Sequence, residues 1–144
     1  MAESIIKLMS DYHNFDDGLV MSFGFFYPTR EPPAVQGTFY AKNHALPGDQ
    51  WDTVTIVVRD IVEFHAQWRG NQANSICAGV HLVRFGDLWC LDVDGAYGSL
   101  EDPRSIDEVR QYGDCYAIGR GVDFHISEDR NVDIFANIFS GGAG

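Results

Sequence analysis

No stretch of about 18 apolar residues occurs in the sequence, so no segment is expected to cross a membrane as a helix. Basic residues are scarce as well. Ten Lys and Arg stand against twenty-one Asp and Glu, giving a net charge of −11 and a pI near 4.6. That balance argues against a nucleic-acid binder, because neutralising phosphates takes clustered Lys and Arg. Cysteine is sparse and odd in number. Cys77, Cys90 and Cys115, at spacings of 13 and 25, match no disulfide framework and no zinc pattern, and they read as small core residues on strands. The opening MAESIIKLMSDYH has no basic region followed by an unbroken apolar run and a small-residue cleavage site. It does not read as a signal peptide, and the expected location is the cytoplasm. No cofactor is expected. The Gly119-Arg120-Gly121 triplet lacks the strand-to-helix setting of a phosphate loop and reads as a bulge or turn. No Ser sits in a G-x-S-x-G elbow either.

What the chain does have is length and aromatic content. Its 144 residues are expected to make a single domain, 1–144, able to bury roughly two-thirds of its unfolded surface. Ten Phe and six Tyr suit a β-rich core. Ile5, Leu8, Met9 and Tyr12 recur at i, i+3, i+4 and i+7, one face of a short helix. Asn14 and the Asp16-Asp17-Gly18 cluster then stop it, because Asp-Gly favours a turn. Strands are expected from Leu19 to Tyr27, Ala34 to Ala41, Val54 to Val58 and, after a break at Arg59-Asp60, Ile61 to Ala66. Further strands run from Ile76 to Phe85, Leu88 to Val93, Cys115 to Ile126 and Val132 to Phe139. Gly86-Asp87 is a two-residue hairpin turn. Ser105 and Glu108 have capping-box spacing, enough for one helical turn. The fold class is therefore mainly β with minor α: an antiparallel β-sandwich or curled sheet with one short N-terminal helix.

Two sets of residues have metal-ligating chemistry. His13, Asp16 and Asp17 could hold a hard cation if they converge, but all three lie within five residues of one turn, and turn chemistry accounts for them. His65, His81 and His125 fall on three different strands, and a shared face would make them a metalloenzyme site. The strand order, which sequence does not give, decides that. A small metal-dependent enzyme using these histidines is thus one alternative, and an oligomeric ligand-binding or structural module is another. The loop WRGNQANSI supplies a different chemistry. Trp68, Arg69, Asn71, Gln72 and Asn74 are residue types that anchor protein interfaces and make adaptable hydrogen bonds.

Several stretches together resemble one family. HNFDDGLVMSFGF, from His13, resembles an opening "fHDaeilsl", a short helix running into a His-Asp turn and a first strand. TVTIVVRDIVEFHAQWRGNQANSI, from Thr53, is similar to "vtLrFedVedleLegFnhqNvi". LWCLDVDGAYG and CYAIGRGVDFHI resemble the closing strands. The pattern is that of the immunity protein 50 group of bacterial polymorphic toxin systems, over Asp11 to Ile126. Two departures stand out: Asn14 and Phe15 separate His13 from Asp16, and the Gly70-Asn71-Gln72 order differs. The resemblance implies a compact, non-enzymatic cytoplasmic protein that occludes a cognate toxin domain. Several toxins of that class are basic nucleases, which an acidic partner would meet quickly.

Overall fold

The computed structural model describes residues 2–98 and 101–128. Helix α1, Ala2–Asp11, buries Ile5, Leu8 and Met9 on the face its periodicity marks. A single 3-10 turn at His13–Phe15 then reverses the chain. Its three residues all have positive φ, 49°, 55° and 58°. Left-handed backbone costs a non-glycine residue about 1–2 kcal/mol. Phe15 offsets that: it is fully buried and stacks between Tyr12 and Phe39, a burial worth roughly 2–3 kcal/mol. The HNFDD stretch forms the turn between α1 and the first strand.

Six strands follow: β1 Leu19–Phe26, β2 Ala34–Lys42, β3 Trp51–Ala66, β4 Val80–Phe85, β5 Leu88–Val93 and β6 Cys115–Glu128. They form one open antiparallel sheet in the order β1-β2-β3-β6-β5-β4. Of the two expected architectures, the curled single sheet is the one that forms. The curl shows in the contacts of Phe23 and Phe25 of β1 with Phe64 of β3, a strand that β2 separates from β1 in the sheet. Alternation sets the faces. Val54, Ile56 and Val58 point with Val35, Phe39, Leu91 and Ala117 to a core closed by α1. The opposite face carries Cys90, Tyr116 and Ile118 beneath α2, Ile106–Tyr112. No helix of the described residues is long and apolar enough to cross a membrane.

Four details differ from the sequence expectation. Arg59-Asp60 does not end a strand. β3 runs on through it, with Asp60 at φ 53° and a register shift against β6 between Ile61 and Glu63. A bulge re-aims the strand there, and the Ile61 N–H donates to the Pro33 carbonyl at 3.1 Å. The segment Ile76 to Gly79 is not strand. Ile76 plugs the core, but the Cys77 and Ala78 N–H groups donate to the Asp94 carboxylate instead of a ladder. Helix α2 is two turns rather than one. Cys77, placed on a strand by sequence, lies exposed in that loop. The expected strand Val132 to Phe139 lies outside the described residues.

Candidate functional site

A cleft of about 510 Å³ opens between the start of β1, the end of β3, the loop 67–75 and the segment that joins β5 to β6. Trp68 and Tyr112 stand in its wall, 68% and 55% exposed. Both are large aromatics left in water, where most residues of that size would be packed. Val20, Phe23, Val93 and Cys115 add apolar wall, and Asp94 and Asp114 add carboxylates. Among the described residues, no Lys, Arg or His lines the cleft.

Local hydrogen bonds hold this cleft in shape. The loop 67–75 is latched to the edge strand: the Val20 N–H donates to the Asn74 carbonyl at 2.8 Å, and Asn74 Nδ2 donates back to the Val20 carbonyl at 3.1 Å. Ser75 bridges Leu19, and the Ile76 N–H donates to the Gly18 carbonyl. Arg69 and Gln72 close a turn through two bonds, the Gln72 N–H to the Arg69 carbonyl and the Arg69 N–H to Gln72 Oε1. The Gln67 N–H donates to the Asp114 carbonyl at 2.9 Å, fixing the residue before Trp68. Tyr112 is carried by α2, whose start is capped by Ser105 Oγ accepting from the Glu108 N–H at 3.1 Å. Arg110 then clamps α2 to β3, with Nη2 donating to Glu63 Oε1 at 2.7 Å while the Tyr116 hydroxyl donates to Glu63 Oε2 at 2.9 Å. The Arg110 hydrogen bonds hold the Glu63 carboxyl below its usual value.

The sequence-predicted residues divide. Trp68, Gln72 and Asn74 line the cleft; Arg69 and Asn71 are exposed beside it. Tyr112, Asp94 and Asp114 are cleft residues that sequence reading missed. The Asp94-Gly95 dipeptide was the available signal, since a turn there sets Asp94 at φ 63° beside the 77–78 backbone.

The histidines do not come together. His13 is exposed and stacks on His44, ring centroids 3.7 Å apart, while Asp16 and Asp17 serve the turn beside it. Partial desolvation and the His13 charge hold His44 below the usual imidazole value. His65 and His125 are exposed on β3 and β6. Among the described residues, no three His, Cys, Asp or Glu side chains converge as a metal-ligand group would.

His81 stands apart, buried on β4 directly opposite Asp92 of β5. Both of its ring nitrogens face acceptors, Nδ1 the Asp102 carboxylate at 2.9 Å and Nε2 the Gly95 carbonyl at 3.0 Å. Two acceptors call for two ring protons. Burial opposes that charge, but Asp102, Asp92 and the Gly95 carbonyl outweigh it, and the His81 pKa is raised. Asp92 is fully buried, and burial pushes its pKa up to about 6. Its Oδ2 accepts from the Gly95 N–H at 3.0 Å. Asp92 Oδ1 and the Tyr97 hydroxyl lie near each other but make no hydrogen bond of normal geometry. Neither His81 nor Asp92 lines the cleft. This cluster is a buried, charge-compensated tie between β4, β5 and the segment after β5.

No family model, no curated protein and no solved structure matches the chain.

Proposed function

We propose that the chain is a non-catalytic binding protein that acts in the cytoplasm as an immunity protein, neutralising a basic toxin domain by occluding it. The observation that carries this reading is Trp68: a tryptophan 68% exposed within a loop that is latched to the sheet on both sides. Exposed aromatics on rigid loops are the anchors of protein interfaces, because they bury much area at little entropic cost. The −11 charge supports a cationic partner. The resemblance of the turn, the β3 segment and the closing strands to the immunity protein 50 group supports the same class. Arg69, Asn71, Gln72 and Asn74 supply the polar surround of the anchor.

The test is to establish whether a neighbouring gene encodes a protein with a basic, toxin-like C-terminal domain, and to co-express that domain with this chain. Survival of cells carrying both, death of cells carrying the toxin domain alone, and a complex that co-purifies are the expected outcomes. Survival without this protein, or no complex at low salt, would sink the reading.

A further inference from the structure

We propose that the cleft between β1 and α2 receives an arginine-bearing loop of a protein partner, the guanidinium lying against Trp68 and Tyr112 and paired with Asp94 and Asp114. This rests on the binding-protein reading and names the chemistry that its surface selects. Three observations converge on it. The cleft holds two exposed aromatic side chains and two carboxylates, and no described cationic residue lines it. Its volume of about 510 Å³ exceeds one side chain and matches a short loop. Asp94 is pre-set: its Oδ1 accepts from the Cys77 and Ala78 N–H groups, while its Oδ2 has no hydrogen-bond partner among the described residues. A carboxylate fixed through one oxygen offers the other without having to order itself on binding.

The choice of arginine over lysine follows from shape. A planar guanidinium stacks on an aromatic face while its edge still donates to a carboxylate, whereas an ammonium is a compact, strongly hydrated point charge. The walls are held by the Val20–Asn74 latch, the Gln67–Asp114 bond and the Arg110–Glu63 clamp, so the site exists before the ligand arrives.

The experiment uses the full chain and blocked tripeptides: Gly-Arg-Gly, Gly-Lys-Gly and Gly-citrulline-Gly, the last a neutral isostere of arginine. Two signals report on the cleft, the Trp68 indole resonance and the rate of thiol labelling at Cys115, which lines it. The Trp51 indole, at the far end of β3, does not line the cleft and serves as an internal control. The arginine peptide should shift the Trp68 indole and slow Cys115 labelling saturably, with the Trp51 indole unchanged. Citrulline should bind weaker by roughly five- to tenfold, the loss expected of one cation–aromatic contact. Asp114→Asn, at an exposed residue whose side chain makes no hydrogen bond among the described residues, should weaken the arginine peptide by a similar factor without changing the melting temperature. Equal binding by citrulline or lysine, or no saturation with arginine, overturns the proposal. A toxin complex that forms while the arginine peptide leaves both signals unmoved would retire the cleft and keep the immunity reading. Arginine-specific protection in a chain that captures no basic toxin would do the reverse.

Discussion

Asp92 carries a cost that pH can remove. Its carboxyl is fully buried, with a native pKa of about 6 against an ordinary 3.8. Between those values the folded state binds the extra proton, so Asp92 lowers stability as pH rises from about 4 to 6 and holds it level above. The size is on the order of 2–3 kcal/mol. His81 works in the next window. Its raised pKa means that its contribution is complete below 6.5 and is lost as pH climbs through the native value. Glu63 has the opposite sign, its stabilisation being lost only as pH falls below its usual 4.5. The stability of wild type minus that of Asp92→Asn should therefore fall between pH 4 and 6.5, measured by urea unfolding; a flat difference would place the Asp92 carboxyl in a wetter site. The thiols give a second check. Burial pushes Cys90 to about 12 and raises Cys115, while Cys77 lies exposed. Native labelling should run in the order Cys77, Cys115, Cys90, and a fast Cys90 would contradict the packing beneath α2.

Strands and helices were legible where the signal is local. The α1 stripe, the Gly86-Asp87 hairpin and the Ser105 cap are each written in a few adjacent residues, and each formed. Gly86 sits at φ 67°, as the first central residue of such a turn requires. The β3 bulge was misread as a break because its cause lies far off in sequence. Gly119 of β6 faces Ile61, and a Cβ there would overlap the Arg59 carbonyl and come within 2.9 Å of Val58 Cγ1. Only a strand without a side chain at that point lets the bulge press so close. Gly119→Ala should then cost about 2–3 kcal/mol, seen as a lower urea midpoint at unchanged slope. Gly24→Ala on the edge strand β1, with nothing within 4 Å of the new methyl, should leave the midpoint near wild type. Equal effects at the two sites would mean that the β3–β6 contact is looser than its geometry.

The assembled chain shows why the proposed interaction face was only half readable. Trp68 and its loop are consecutive, so a sequence pass finds them; the cleft also draws on β1, the residue after β5, α2 and the start of β6, which only the order β1-β2-β3-β6-β5-β4 brings together. The net charge of −11 belongs to the whole surface and acts at a distance. Anchor and charge should consequently separate in kinetics. If the chain occludes a basic toxin domain as proposed, the association rate should fall as salt rises because charges beyond a Debye length are screened, while dissociation changes little. Neutralising acids remote from the cleft, such as Glu3 or Asp87, should slow association modestly and leave dissociation alone. Trp68→Ala should do the opposite, speeding dissociation from the toxin domain about 30-fold, on the order of 2 kcal/mol, with little change in association. A residue this exposed adds little to folding, so the same variant should unfold within about 0.5 kcal/mol of wild type. Stopped-flow association across a salt series and surface-bound dissociation measure the two rates separately. A Trp68→Ala protein that unfolds early would make Trp68 a packing residue, and an association rate indifferent to salt would remove charge from the account of how the partner is found.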